Sequence, residues 1–312
     1  MGDLVLTKTA ETNTTITLGW TPPADAQWYV FFAAGTRVAN AAPVDKNGIV
    51  KQSVKFAKGN DPYEVAAICR DASGVFSVAS GTYTSPPQPL GIPGDWNLIF
   101  QEEFDGPLDT TKWDKSWWGW PRNQVTRPAN VAEACAYDPA LLRIEDGILH
   151  MGFSNVPAYV ASTGKTYNYR CGCISTTDHW RFTYGVFEAR MWLPPGNGSP
   201  DNWQTFWTDV QDDPEEIDVM ESIRGENAWH YHWAGGSVDH VVDQISGWRT
   251  FAANWQPGSI TYYYDGVEVG RVTQNVTTKA QYITVQNTAA LGDAVTFPVA
   301  DTLVDYVRVW QS

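Results

Sequence analysis

The sequence predicts an all-β chain built as two antiparallel sandwiches of unequal size. Three observations carry this. Apolar residues recur in short runs of period two with little helical spacing, turn residues punctuate those runs, and a proline-rich break divides the chain near residue 85. With 312 residues, 43% of them apolar, there is enough material for two cores.

Residues 1–85 read as seven short strands. Thr15-Ile16-Thr17-Leu18-Gly19-Trp20 alternates cleanly and stops at Pro22-Pro23. Gln27-Trp28-Tyr29-Val30-Phe31-Phe32 follows, then a run over 50–56. Next comes Tyr63-Glu64-Val65-Ala66-Ala67-Ile68-Cys69, which turns at Asp71-Ala72-Ser73-Gly74 into a last run over 75–84. Trp20 on the second strand, Tyr63 two residues ahead of Val65 and the Asp-Ala-Ser-Gly turn resemble a fibronectin type III domain. The resemblance implies a spacer or attachment module with no catalytic constellation, in which Trp20 and Tyr63 are core residues. Residues 86–93, within Ser85-Pro86-Pro87-Gln88-Pro89-Leu90-Gly91-Ile92-Pro93, read as an extended, semi-rigid linker.

From 94 to 312 the chain is again strand-rich. Runs at 98–100, 142–144, 148–153, 185–192, 204–207, 217–220, 260–264, 282–285 and 302–310 suggest one large antiparallel sandwich. Tyr264-Asp265-Gly266-Val267 carries the Asp-Gly pair of a two-residue hairpin.

Charge and composition exclude several classes. The formal net charge is −14, and all of it lies beyond residue 93, because residues 1–93 balance. An acidic surface of this kind argues against nucleic acid and against an anionic membrane as partners. It also makes a neutral polymer a more natural ligand than a sulfated or uronic one. No apolar run reaches the length of a membrane span. Met1-Gly2-Asp3-Leu4-Val5 shows neither a basic nor an apolar leader region, so the sequence predicts either a signal already removed or release by another route such as lysis. Fourteen of the 16 tryptophans follow residue 93, where they can serve both packing and ring stacking. Of the four cysteines, Cys171 and Cys173 share a strand face without enough other ligands for zinc. Pairing of either with Cys135 stays open, and buried free thiols are the simpler reading for Cys69 and the rest.

The chemistry concentrates in Glu216-Ile217-Asp218-Val219-Met220-Glu221. On a straight strand Glu216 and Asp218 face one way and Glu221 the other, which mixes acids with apolar residues on both faces. One extra residue, a β-bulge between Asp218 and Glu221, puts all three acids on one face and the apolar residues in the core. Three carboxylates on one face repel, so they need a reason. Glycoside hydrolysis supplies one, since it needs an ionised carboxylate beside a protonated acid. The bland alternative is an acidic edge strand kept soluble by its charge.

The order of motifs around this hexapeptide resembles glycoside hydrolase family 16, the laminarinase-like retaining β-glycanases, over essentially all of residues 95–311. Phe100-Gln101-Glu102-Glu103-Phe104-Asp105-Gly106 with Lys112-Trp113 is similar to the family's opening strand and turn. Phe182-Thr183-Tyr184-Gly185-Val186-Phe187-Glu188-Ala189-Arg190 is similar to the strand before its catalytic strand. Trp203-Gln204-Thr205-Phe206-Trp207 takes the place of its tryptophan-bounded motif. His232-Trp233, the run 260–266 and Leu303-Val304-Asp305-Tyr306-Val307-Arg308-Val309 complete the order. Two departures bear on the substrate: Gln204-Thr205 stands where the family usually has Pro-Ala, and Arg249 where it often has His.

The resemblance implies a concanavalin-like jelly-roll β-sandwich and a retaining, endo-acting hydrolase of β-1,3- or β-1,3-1,4-glucan. Glu216 is then the nucleophile, Glu221 the acid/base with its pKa raised by nearby negative charge, and Asp218 the group between them that orients Glu216. A retaining pair needs carboxyls about 5–5.5 Å apart, whereas four strand steps span roughly 13 Å, so the sheet must bend and the side chains lean inward. Glu215 is read as structural or solvated. Trp203 and Trp207 share a strand face just before the acids, and Trp203 above all is expected in the cleft. Trp117, Trp118 and Trp120 form an aromatic loop for which packing and substrate contact both stay open. Trp113, Trp192, Trp255 and Trp310 are core candidates. His232, Asn130 and Gln286 complete the cleft candidates. The resemblance also implies a structural Ca2+, with Glu103, a carbonyl around Gly147 and Asp305 at the ligand positions, and no cofactor for catalysis. The expected partner is a polysaccharide outside the cell or at a virion surface, with the N-terminal module attaching the enzyme to a larger assembly. A glycan-binding surface or phage tail protein acting on a galactan or bacterial wall polysaccharide is the alternative.

Overall fold

The computed structural model describes residues 87–117, 124–194, 203–211, 213–223, 226–243, 246–292, 295 and 299–312, preceded by the strands and one turn that lie between Val5 and Thr84. The chain divides into two compact units. One holds Met1–Gln88 with Pro93–Leu98 and Ser312, the other Pro89–Ile92 with Ile99–Gln311.

The first unit contains two antiparallel sheets. Val5–Glu11, Thr15–Thr21 and Val50–Lys55 form one, in that order. Thr36–Ala42, Ala26–Ala33, Pro62–Asp71 and Phe76–Thr84 form the other. Trp20 and Tyr63 lie on these strands, and their side chains fall outside the described residues.

The second unit is a two-sheet sandwich. One sheet runs in the order Leu142–Glu145, Ile148–Met151, Thr302–Gln311, Gly185–Leu193, Gly247–Gln256, Ser259–Tyr264, Val267–Val272, with Asn97–Glu102 also paired to Thr302–Gln311. The other runs Cys173–Ser175, Tyr282–Thr288, Trp203–Asp209, Glu216–Ile223, Glu226–Trp233, Gly236–Asp243. A single 3-10 turn, Pro139–Leu141, is the only helix among the described residues. Asp138 caps it by accepting a hydrogen bond from Ala140 N at 2.9 Å.

Phe187, Met191, Phe206, Ile217, Val219, Tyr231, Trp255, Ile283, Val285, Val307 and Val309 come from both sheets and join one buried cluster. Their burial ties the sheets face to face, as period-two strands with one apolar face require. Trp255 is fully buried, stacked on Phe187 with centroids 6.1 Å apart. Trp113 and Trp310 are core as expected, but Trp192 stays half-buried. The hairpin expected at Asp265-Gly266 is present, and both residues have positive φ (49° and 78°), the conformation that a type I′ turn demands. Gly185 opens its strand at φ 119°, and a Cβ there would lie 2.3 Å from the Trp310 carbonyl, so no other residue fits.

Part of the proline-rich run is docked, which corrects the linker reading. Within the second unit, Leu90 N–H donates to Glu188 Oε2 at 2.7 Å, and Pro89 and Ile92 are buried. Glu188 is itself buried and takes a second hydrogen bond from Tyr306 OH at 2.9 Å. All four cysteines are free and buried, so none of the disulfides left open by sequence forms.

Candidate active site

The acidic strand carries its bulge where alternation demands one. Facing Glu226–Trp233, Asp218 pairs with His230 and Glu221 with Ala228, so three steps on one strand meet two on the other. On its other side Phe206 pairs with Met220 and Trp207 with Asp218, leaving Val219 as the extra residue. The extra step turns Glu221 back to the face of Glu216 and Asp218, while Ile217, Val219 and Met220 are buried in the core.

Register then builds the site as three rows across the sheet. Asp209, Glu216 and His232 make the first row, and Trp207, Asp218 and His230 the second. Gln286, Thr205 and Glu221 make the third. All nine line a single cavity of about 830 Å³, together with Trp117, Asn130, Glu133, Trp203 and Trp233. A strand pairing thus sets the whole face: a one-residue slip would turn these side chains into the core.

Glu221 is held at both oxygens. Trp203 Nε1–H donates to Oε1 at 2.6 Å, and His230 Nε2 lies 2.9 Å from Oε2. Burial pushes the His230 pKa down, but the hydrogen bond and charge of Glu221 outweigh it and the net shift is upward. Glu216 and Asp218 are hydrogen-bonded to each other. Burial first, and then mutual or neighbouring negative charge, raises both well above the usual carboxylate range. Asp218 is 2% exposed, and its Oδ2 lacks a hydrogen-bond partner among the described residues, with His232 Nε2 3.4 Å away.

Two further buried acids border the site. Asp209 accepts from Tyr282 OH at 2.6 Å, and burial lifts its pKa to about 7. Glu133 holds Tyr137 OH at 2.7 Å and accepts the Asn130 N–H at 2.8 Å. Its pKa also rises to about 7, chiefly through burial and in small part through the charge of Glu221. Tyr137 OH also lies 2.8 Å from Gln286 Oε1, so a chain of hydrogen bonds links Glu133 to the third row.

The cleft candidates fall into place unevenly. Trp207 stacks on Trp117 with centroids 6.5 Å apart, and Arg127 lies over the Trp117 ring at 4.9 Å. The loop backbone at Trp117 is tied down by Thr177 Oγ1–H to its carbonyl at 2.7 Å. Trp118 and Trp120 lie outside the described residues. Asn130 lines the cavity, but its side-chain oxygen accepts the Ala132 N–H at 2.8 Å and serves a local turn. Trp207 Nε1 and Thr205 Oγ1 are buried without partners among the described residues. Glu215 stands outside the cavity and takes the Thr277 hydroxyl and Lys279 Nζ at 3.3 Å, a structural role.

His230, Asp209, Thr205 and Glu133 are the site residues that sequence reasoning missed. Three of them had a signal. His230 is two residues from His232, and Thr205 and Asp209 continue the 203, 207 face at period two. Glu133 lies in a segment of little regular structure, and nothing local marks it.

The expected calcium set does not fit. Arg308 forks onto both oxygens of Glu103 at 2.7 Å, and Arg190 pairs with Asp305 at 2.5 Å. Gly147 at φ 76° follows Asp146 at φ 51° in the tight turn between Leu142–Glu145 and Ile148–Met151. Both carboxylates are neutralised by guanidinium groups, and a dication beside two such cations would be repelled.

With this geometry in place, comparison with known proteins is informative. Residues 143–295 match the model of the glycosyl hydrolases family 16. An endo-1,3-1,4-beta-glycanase of Rhizobium meliloti is 25% identical over 179 residues, 51% of this chain and 38% of the relative. A beta-glucanase of Rhodothermus marinus is 26% identical over 261 residues, covering 69% of this chain and 85% of that one. The chain spans less than half the length of the two Rhizobium meliloti relatives it matches first, 38% and 47%. Among solved structures, the endo-beta-1,3-glucanase of Pyrococcus furiosus aligns with a TM-score of 0.58 at 23% identity, over 69% of this chain and 94% of its own. The laminarinase catalytic domain of Thermotoga maritima aligns with a TM-score of 0.58 at 19% identity, over 70% and 99%. These structural likenesses establish the sandwich fold of the second unit.

Proposed function

We propose, from the match of residues 143–295 to the glycosyl hydrolases family 16, an endo-acting, retaining hydrolase of β-linked glucan, with β-1,3 or mixed β-1,3-1,4 linkages as the substrate. The observation that carries this reading is the bulge, which turns Glu216, Asp218 and Glu221 into one cavity.

Glu216 attacks the anomeric carbon and forms a glycosyl ester, while Glu221 delivers a proton to the departing oxygen. In the second step Glu221 takes a proton from water, and that water releases the sugar from Glu216. Asp218, hydrogen-bonded to Glu216, takes the proton of the pair in this mechanism while Glu216 is ionised, so one buried negative charge is present before attack rather than two. Trp203 and His230 fix the carboxyl of Glu221 from both sides, which preserves its aim through both steps. The stacked pair Trp117 and Trp207 offers flat apolar surface for sugar C–H faces, and Thr205, His232 and Gln286 offer polar partners for hydroxyls.

The first unit serves as a fibronectin type III-like spacer or attachment module. Its three- and four-stranded sheets support that reading. A polymeric substrate places the work outside the cell.

Release of reducing ends from a panel of β-1,3-glucan, mixed-linked glucan, agar-type galactan and bacterial wall polysaccharide tests the function. Glucans should be cut, and Glu216→Gln should lower kcat by about 10³-fold or more while binding persists. A wild-type protein that binds one of these glycans but releases no ends from any would make this a binding module.

A further inference from the structure

We propose that Asp218, His230 and His232 form a binding site for a borderline divalent transition cation, with Zn2+ as the type, and that this ion blocks the cleft. The two histidines stand two residues apart on one strand face, their rings 6.0 Å apart and within 18° of parallel. Asp218 lies directly opposite His230 in the neighbouring strand. One ligand atom from each of the three lies within 4.8 Å of the other two. Ligand atoms on a four-coordinate zinc stand about 3.4 Å apart, given bonds of about 2.0–2.1 Å, so rotations that close the set by roughly 1 Å complete it.

The second observation is the state of Asp218. It is 2% exposed, its Oδ2 has no hydrogen-bond partner among the described residues, and it lines the same cavity as both imidazoles. A buried carboxylate oxygen whose nearest donor is His232 Nε2 at a long 3.4 Å is a costly arrangement that a cation relieves. Glu216 and Glu221 line that cavity too, adding negative potential with no Lys or Arg on its wall among the described residues.

Ligand chemistry selects the ion. Two imidazoles and one carboxylate suit zinc, cobalt, nickel or copper, whereas calcium and magnesium prefer all-oxygen sets. Three protein ligands leave a fourth position open to water or a sugar hydroxyl. Ligation through His230 Nε2 takes that atom from Glu221 Oε2, now 2.9 Å away, and the ion puts a positive charge on Asp218 between the two glutamates. The ion therefore removes one of the two groups that aim Glu221 and occupies the space of the substrate. Binding itself stands apart from the glycosidase reading; the inhibition rests on it.

The test is titration of the full chain with Co2+, read by visible d–d absorption, with Zn2+ displacing it in competition. His232→Gln, at a half-exposed position that tolerates change, and the His230→Gln/His232→Gln double variant should weaken Zn2+ binding about 10-fold and 100-fold. His240→Gln, outside the set, should leave affinity unchanged. A Co2+ spectrum lacking d–d bands, or Zn2+ affinity within about twofold of wild type in both cleft variants, overturns the site. In parallel, Zn2+ should abolish glucan hydrolysis and a chelator should restore it. Binding that follows the variants without inhibiting a glucan-cleaving protein would overturn the blocking role and leave the site. A protein that binds Zn2+ in this way but cuts no glycan would sink the glycosidase reading instead.

Discussion

Trp203 and Glu133 give the sharpest expectations at the scale of single residues. Trp203→Phe keeps an aromatic ring and removes the Nε1–H bond to the Glu221 carboxyl. Such bonds contribute about 1.5–3 kcal/mol, so kcat should fall roughly 10- to 100-fold with a smaller change in KM. Steady-state kinetics on a cleaved glucan reads this, and an unchanged kcat would show that Trp203 does not aim the acid. Glu133 makes a stability prediction with a definite sign. Its folded pKa, about 7, stands above its ordinary 4.5, so the folded state binds more protons than the unfolded one between those values. Stability from this group is full below about pH 4.5 and is lost as pH rises to about 7, by up to roughly 3 kcal/mol. Glu133→Gln retains the acceptor for Asn130 N–H and a donor for Tyr137, so chemical denaturation across this window should show a flatter decline than wild type. The same decline in both would show that Glu133 is not the titrating group. Glu133 also marks the limit of reading residues from sequence. His230, though missed, carried a signal in its two-residue spacing from His232, whereas Glu133 arrives from a loop by tertiary packing alone.

The decisive element is the bulged strand. Its register was legible because acids in an apolar run cannot alternate without one extra residue, and the structure puts that residue at Val219. Deleting Val219 should restore regular pairing, turn Glu221 toward the core and abolish activity, with protein that is unfolded or strongly destabilised in thermal melts. A stable, active deletion variant would remove the bulge from the account. Gly185 is a second element-level constraint. Gly185→Ala meets the Trp310 carbonyl at 2.3 Å in a left-handed conformation, and a loss of about 2–4 kcal/mol in urea unfolding is expected. The calcium expectation rested on carboxylates matched by position, while the partners these carboxylates have here, Arg308 and Arg190, come from distant or neighbouring strands that sequence order does not pair.

For the whole molecule, the sandwich was legible from period two, and the strand runs at 142–144, 185–192, 260–264 and 302–310 recur in the structure within a residue or so. Sheet order was not. The acidic strand lies between Trp203–Asp209 and Glu226–Trp233, and the second of these was hidden because its aromatic and histidine content obscures simple alternation. The proline-rich run reads as an extended, semi-rigid linker since proline favours extension, yet its residues 89–92 dock through the Leu90 N–H on Glu188, a partner 98 positions away. The acidic excess of the second part makes one expectation of its own. Neutral glucans should be turned over at rates that change little with salt, and a glucan carrying sulfate groups should be cut more slowly at low salt than at high.

The central proposal is a retaining reaction at Glu216 with Glu221 as acid and base. The configuration of the first-formed product tests it most directly, followed by proton NMR of a β-glucan digest before mutarotation. The geometry predicts that the β-anomer appears first and the α-anomer only later, by equilibration. Initial appearance of the α-anomer would mean direct attack by water and would contradict the double displacement.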